Sequence, residues 1–195
     1  MKYAIAFLMG LFPLFAFGTP QADMLARYAA QLSEVKTLTS DFMEEKHLAL
    51  LTQPIQSQGT LSFDKTAQKL RWQYQKPFTN GFIVEGARVY RLQNEQKKPV
   101  QNTMGRVMAS QMLVWLTLDF ESLQKNYDIV LKENQIVFTP KEQTHKVVKQ
   151  IIVWISEKDS RLVTQVKMEE PSGDFVLWKF SNTQLNPSLA KEVFP

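Results

Sequence analysis

Apolar and polar side chains alternate strictly along residues 58–92 of this chain. Apolar residues occupy every second position at 61 and 63 and again at 70, 72 and 74, and a further apolar run follows at 83–92. A period of two predicts short strands of an antiparallel sheet with one apolar and one polar face. Because the apolar face includes Trp72 and Tyr74, it must be covered by a second sheet, by helices or by a ligand.

The segment before these strands has the spacing of an amphipathic helix. Thr19 and Pro20 fit the N-cap and the first position of a helix, and Leu25, Leu32 and Val35 follow at helical intervals. After residue 38 the period changes, so a strand is predicted over 39–50. An apolar turn at 49–54 follows, and we expect its side chains to be exposed.

A second helix is predicted in the middle of the chain. Residues 93–102 are polar and indicate a loop, whereas residues 104–118 indicate a strongly apolar helix that contains Met108, Met112 and Trp115. Methionine is common in cores and also on adaptable binding surfaces, so this helix fits either role. Residues 119–123 indicate a cap or a further short turn.

The remainder of the chain predicts a meander of strands. Turn-forming residues separate apolar stretches at 127–132, 135–140, 147–156, 161–169 and 174–182. The tail at 185–195 is expected to be irregular, with Leu189, Val193 and Phe194 packing against the domain. The patterns together predict an α+β, mainly β domain, in which one long helix precedes a large antiparallel sheet with a short helical insertion.

The first residues have the composition of a secretory signal. Lys2 precedes an apolar stretch at 3–17, and small residues around Gly18 fit a cleavage site, so cleavage is expected after Gly18. The alternative is an N-terminal anchor helix, for which the stretch is short. We expect residues 1–18 to be a signal peptide and residues 19–195 to form one exported domain. The chain contains no Cys, which excludes a disulfide framework.

Charge and motif content argue against several function classes. The net charge is +4 and the basic residues are scattered, so no nucleic-acid partner is predicted. His47 and His145 are the two histidines, and neither has a partner at metal-ligand spacing. Glu44 and His47 lie three apart on a predicted strand and therefore face opposite sides. We predict no catalytic residues, no metal and no cofactor.

Five short segments, in order, carry a family resemblance. They are Leu-Thr-Ser-Asp-Phe-Met-Glu at 38–44, Gly-Thr-Leu-Ser-Phe at 59–63, Leu-Arg-Trp at 70–72 with Pro77 beyond it, Ile-Val-Glu-Gly at 83–86 leading to Tyr90, and Phe-Thr-Pro-Lys at 138–141. Their order and spacing resemble the periplasmic outer-membrane lipoprotein carrier family, LolA, and its LolA-like branch. The resemblance covers nearly the whole chain after the signal.

The resemblance implies an incomplete, strongly curved antiparallel β-barrel whose concave apolar face is covered by helices. It implies a hydrophobic cavity, for which the candidate lining residues are Leu61, Phe63, Leu70, Trp72, Tyr74, Ile83, Val89, Met108, Met112, Trp115, Phe138, Trp154, Met168 and Trp178. Each of these side chains also fits a closed core, and a one-residue slip in any strand would invert its face. Lys65 takes the approximate place of a family Arg that ties the lid closed, in a loop one residue longer.

The resemblance also implies a function. The expected protein is a periplasmic, monomeric carrier that takes lipoproteins or other lipid-like molecules from an inner-membrane donor to an outer-membrane acceptor and binds their acyl chains. Residues 45–59 are closer to the LolA-like branch, which favours a lipid-like cargo other than a lipoprotein. The alternatives are a non-catalytic acyl-chain sensor or interaction module of the same fold and, less favoured by the residues, a hydrolase of lipid-like esters.

Overall fold

The computed structural model describes residues 20–93, 96–101, 120–141 and 147–195. The predicted signal peptide, the predicted helix at 104–118 with Met108, Met112 and Trp115, and His145 lie outside these residues. Within them, no helix combines the length and the hydrophobicity needed to cross a bilayer.

The described elements are two α-helices, eleven strands and one 3₁₀ turn. In chain order they are α1 Pro20–Ser33, β1 Thr37–His47, β2 Ile55–Asp64, β3 Lys69–Lys76, β4 Asn80–Glu85, β5 Arg88–Gln93, β6 Gln96–Pro99, α2 Phe120–Asn126, β7 Tyr127–Lys132, β8 Gln135–Pro140, β9 Gln150–Ile155, β10 Val163–Glu169, β11 Phe175–Leu185 and the 3₁₀ turn Lys191–Val193.

All eleven strands belong to one antiparallel sheet in the order β6-β5-β4-β3-β2-β1-β11-β10-β9-β8-β7. The chain starts in the centre with β1, proceeds by hairpins to one edge, and continues from the opposite edge at β7 back to β11, which pairs with β1. The two edge strands, β6 and β7, do not pair with each other, so the sheet is open. This arrangement confirms the predicted half-barrel.

Helix α1 forms for the reasons that the sequence indicates. Pro20 occupies its first position, where a missing N–H costs nothing and the fixed φ favours a helix. Leu25 and Leu32 are buried on one side of it, and Val35 is buried just beyond its end. The helix ends at Ser33, whose hydroxyl donates to the carbonyl oxygen of Ala30.

One local prediction is wrong. Residues 93–102 were expected to form a loop, but Gln96–Pro99 form the edge strand β6, paired with β5. Lys97 lies in β6 and donates to Glu85 of β4, and its ammonium group sits 5.1 Å from the centre of the Tyr90 ring. Lysine and proline are tolerated on edge strands, where one side of the backbone faces solvent, so the polar composition did not exclude a strand.

Candidate binding site on the inner face

Two apolar clusters cover the sheet face on which α1 packs, which we call the inner face. The first lies under α1 and combines that helix with α2 and strands β7–β9, and partly buried side chains of β10 pack against it. Its buried residues are Leu25, Leu32, Leu123, Tyr127, Ile136, Phe138, Ile151, Val153 and Ile155. The second covers strands β1–β5, through the buried residues Phe42, Leu61, Phe63, Leu70, Trp72, Val84 and Val89. Register joins the two clusters, because Val166 of β10 pairs with Trp178 of β11.

Most of the described candidate residues lie on this face. Leu61, Phe63, Leu70, Trp72 and Val89 belong to the second cluster, with Tyr74 and Trp178 packed at its border. Phe138 belongs to the first cluster, and Met168 packs against it. The strand alternation thus brings nine predicted side chains onto one apolar surface.

Ile83 and Trp154 lie on the opposite, outer face. Ile83 pairs with Arg71, while its neighbour Val84 pairs with Leu70 and enters the second cluster. Trp154 lies between Val153 and Ile155, which both enter the first cluster. In each case the surrounding sequence is apolar at consecutive positions, so the period of two that fixes a strand's face is missing.

A small cavity lies on the inner face beside the C-terminal end of α1. Its volume is about 40 Å³, and its lining includes Leu32 from the last turn of α1, Val35 just beyond the helix, Leu61 and Phe63 from β2, and Phe180 from β11. An apolar cavity of about 150 Å³ is the size that admits a benzene molecule. This cavity is therefore too small for an acyl chain, and such a ligand would fit there only if side chains or α1 moved.

Polar groups connect the cavity rim to neighbouring elements. Lys65, which follows β2, lines the cavity and donates from Nζ to the carbonyl oxygen of Leu32, 3.4 Å away in the last turn of α1. Arg161 also lines it, and Asp159 holds its guanidinium group in two hydrogen bonds. The hydrogen bonds from Arg161 lower the pKa of Asp159 to about 2. Lys65 therefore contacts one of the helices that were expected to cover the concave face.

An aromatic group surrounds Trp72 on the same face. The Trp72 ring centre lies 4.3 Å from that of Phe42, and 6.3 Å from those of Phe82, Trp178 and Phe180. Phe42, Phe82 and Phe180 were not among the predicted site residues. The signal that could have identified Phe42 is the alternation of β1. Phe42 and Glu44 lie two positions apart on this strand and therefore share a face.

One carboxylate lies among these rings. Glu44 Oε2 accepts hydrogen bonds from the Tyr74 hydroxyl and from Trp178 Nε1, both at 2.7 Å. Burial, the charge of Glu44 and this hydrogen bond raise the pKa of Tyr74. Trp72 Nε1 is buried and has no hydrogen-bond partner in the described part of the chain. Sequence reasoning did not assign Glu44 to the site, because a charged residue in a strand ordinarily indicates the polar face.

The described histidine has a different environment. His47 Nε2 lies 3.5 Å from Glu45 Oε2, and its ring stacks on Phe175 at 4.2 Å between centres. Glu44 faces the inner cluster, so the two side chains point to opposite faces as predicted. Within the described ranges, no three His, Asp or Glu side chains converge in a way that would hold a metal ion.

Comparisons with known proteins place these features in a family. The sequence profile described as "Outer membrane lipoprotein carrier protein LolA" matches residues 33–195. No curated protein matches the chain at the sequence level. The LolA superfamily protein NE2245 from Nitrosomonas europaea is similar in structure, with a TM-score of 0.50 and 10% identity over 90% of this chain and 97% of that one.

Two further similar structures contain MucB. The Pseudomonas aeruginosa MucA/MucB complex matches with a TM-score of 0.55 and 12% identity over 89% of this chain. MucB itself matches with a TM-score of 0.56 and 12% identity, over 91% of this chain and 63% of that one. The chain thus spans only 60% of the matched chain of the complex. At such identities the likeness concerns the fold alone.

Proposed function

The chain belongs to the family of the outer membrane lipoprotein carrier protein LolA, and we propose that it is a periplasmic carrier of lipoproteins or other lipid-like molecules. The observation that carries this proposal is the continuous apolar inner face, which the closed structure covers with α1 over its β7–β10 half.

Because the cavity is small, such a carrier would bind an acyl chain only after a movement that enlarges it. A chain of many methylene groups gains about 0.8 kcal/mol per CH₂ when it leaves water. Lifting α1 would expose the first cluster and connect it with the cavity beside Leu32, giving the acyl chain an apolar surface. Lys65 is placed to resist this movement, because its ammonium group contacts the C-terminal carbonyl group of α1. We propose that Lys65 and α1 form the latch and the lid.

The energetics of transfer fit a protein without a cofactor. A bilayer offers an acyl chain nearly the same gain per CH₂ as a protein cavity does, so passage between them is close to neutral. Contacts with the head group, closure of the lid and the affinity of an acceptor would then set the direction. The proposal needs no catalytic step, no nucleotide and no metal, and a monomer suffices for it.

The end of the sheet next to the β1–β2 turn is suited to meeting a membrane. Leu50 in this turn is 97% exposed, and Phe78 in the β3–β4 turn at the same end is 76% exposed. Lys46 and Lys76 are exposed beside them. We propose that this group, the apolar rim, contacts the lipid surface during loading and unloading.

A binding and transfer experiment tests the proposal. Delipidated protein is titrated with fluorescent fatty acids of increasing chain length, and the transfer of a labelled lipid from donor to acceptor vesicles is then followed. We expect saturable binding and faster transfer. An acyl-chain sensor of the same fold would bind the probe without accelerating transfer, and a protein that no chain length saturates would contradict both functions.

A matched pair of variants localises the binding site. Val163→Trp places a large ring at the cavity lining. Val130→Trp places the same ring on the outer face of edge strand β7. We expect the first variant to lose most of its fatty-acid affinity and the second to retain it. Equal affinities in two folded variants, checked by circular dichroism, would place binding elsewhere.

A further inference from the structure

Glu44 differs from the three other glutamates of the described strands in having no ion-pair partner among the residues that the structure describes. Glu45 pairs with Lys179, Glu85 with Lys97, and Glu169 with Lys167. Within the described residues no Lys, Arg or His forms an ion pair with Glu44, which lies half-buried on the apolar inner face. Two neutral donors, the Tyr74 hydroxyl and the Trp178 indole N–H, hold its Oε2 atom.

The surroundings of this carboxylate are aromatic. Trp178 and Tyr74 contact it directly, and the Trp72 ring lies 6.3 Å from Trp178. Phe42 contacts both Trp72 and Tyr74, at 4.3 and 5.3 Å between ring centres. The faces of aromatic rings carry partial negative charge, so rings around a carboxylate form a favourable environment for an organic cation.

The second polar group of interest in the cluster is the indole N–H of Trp72. Trp72 is only 2% exposed, and its Nε1 atom has no hydrogen-bond partner among the described residues. The N–H is directed toward the Tyr74 hydroxyl oxygen and lowers the pKa of that phenol, although burial and Glu44 outweigh it, but the contact does not reach hydrogen-bond geometry. Buried indole N–H groups ordinarily find an acceptor, so the free donor points to an acceptor atom on a ligand.

We infer that Glu44, Tyr74, Trp178 and Trp72 form a head-group subsite for amphiphiles in which an ammonium group lies a short distance from a carbonyl oxygen. The inference rests on the proposed function, because the acyl chain would lie on the inner face. Glu44 and the rings would take the ammonium group, and Trp72 Nε1 would donate to the carbonyl oxygen.

The position of the subsite agrees with this role. Glu44 lies three residues from the end of β1, and the β1–β2 turn with Leu50 begins just beyond that end. A head group held there would stay near the apolar rim while the chain extends along the inner face. Lys46 is two residues further along the same face and is exposed, so it would favour an anionic head group instead. The experiment must therefore compare the two charges.

The test compares head groups on one chain length. Dodecyltrimethylammonium and dodecanoate are titrated separately into the delipidated wild-type protein below their micelle concentrations, and binding is measured by calorimetry. We expect the ammonium amphiphile to bind at least about fivefold more tightly. Equal affinities, or a preference for dodecanoate, would overturn the subsite and leave the carrier proposal intact, whereas failure of both probes to bind would overturn both.

A matched pair of variants tests the residue assignment. Glu44→Gln keeps the size and an acceptor oxygen but removes the charge, and Glu45→Gln makes the same change on the opposite face of the strand. We expect Glu44→Gln to abolish the preference for the ammonium group and Glu45→Gln to keep it. Equal loss in both variants would show a net-charge effect and would contradict the subsite.

The unused donor of Trp72 has its own test. Lauroylcholine has an ester carbonyl group near its ammonium group, and dodecyltrimethylammonium has none. Trp72→Phe removes the N–H and keeps a smaller aromatic ring, so we expect about a threefold loss of affinity for lauroylcholine and a clearly smaller loss for the alkyl ammonium, which has no carbonyl group to accept the hydrogen bond. Equal losses for the two probes would contradict the proposed hydrogen bond.

Discussion

At the scale of single residues, Gly59 permits the aromatic packing around Trp72. A Cβ atom at this position would overlap the carbonyl oxygen of Gln73 and lie 2.5 Å from Cζ of Phe42. Gly59→Ala should therefore lower the free energy of unfolding by about 2–3 kcal/mol, measured by urea denaturation. Thr60→Ala, one residue along the same strand, should change it by less than about 1 kcal/mol. A tolerated alanine would show that strands β2 and β3 can shift apart at Gln73 while Phe42 repacks.

The phenol of Tyr74 gives a prediction about alkaline pH. Burial, the charge of Glu44 and their hydrogen bond raise its pKa above the usual value of about 10. The fold thus favours the neutral phenol, whose contribution is complete below pH of about 10 and is lost as the pH rises through the raised pKa. Tyr74→Phe should make the alkaline loss of stability shallower, as measured by urea denaturation at several pH values.

The comparison must allow for a second buried phenol. Burial also raises the pKa of Tyr127, which stays in the variant and keeps part of the alkaline dependence. An alkaline profile identical in the wild type and the Tyr74→Phe variant would contradict the assignment to Tyr74. At neutral pH the variant should lose about 1 kcal/mol, because one hydrogen bond to Glu44 is removed.

At the scale of elements, the sequence predicted strands well where alternation was strict or turns were marked. Strands β7 and β8 have the bounds that were predicted. The predicted loop at 93–102 was wrong for β6, whose polar residues are compatible with an edge strand. The predicted inner face was wrong for Ile83 and Trp154, which lie within runs of consecutive apolar residues. Pairing with neighbouring strands decides these cases, and a single sequence does not contain that information.

Helix α1 is the element whose attachment bears on the proposed lid. Leu25 is buried against the first cluster, whereas Met24 beside it is 43% exposed. Leu25→Ala should weaken the docking of α1 by about 2–4 kcal/mol and should increase hydrogen exchange of the α1 amides. The amides of β3, which lies under the other cluster, should exchange as in the wild type if α1 opens by itself.

The control for this prediction is Met24→Ala, which should leave α1 exchange close to that of the wild type. If Leu25→Ala instead accelerates exchange in α1 and β3 equally, the helix and the sheet unfold together. That result would contradict α1 as an independent lid.

For the molecule as a whole, the family that the sequence predicted was confirmed. The size of the cavity and the place of Glu44 in the site were not predictable from the sequence. The sequence identified an apolar face that needs a cover, and the structure places nine predicted residues on it. It did not predict that the cavity would be as small as about 40 Å³, because cavity size depends on how side chains from distant strands interlock. Glu44 was missed for a related reason, since its partners Tyr74 and Trp178 come from β3 and β11.

The apolar rim gives a prediction about the molecule as it meets a membrane. Replacing Leu50 and Phe78 together by Ser removes apolar surface that is almost fully in water, so stability should change little. Burial of such side chains in a lipid interface contributes about 1.5–3 kcal/mol each when complete. We therefore expect at least a tenfold (about 1.4 kcal/mol) loss of affinity for anionic phospholipid vesicles, measured by flotation.

The matched control is Val130→Ser, which removes a 40% exposed apolar side chain from edge strand β7, away from the rim. It should bind vesicles as the wild type does. Both variants should bind soluble fatty acid normally, because neither position lines the cavity. If the double variant keeps its vesicle affinity, the protein meets membranes through another surface, or through a partner protein that receives the cargo directly.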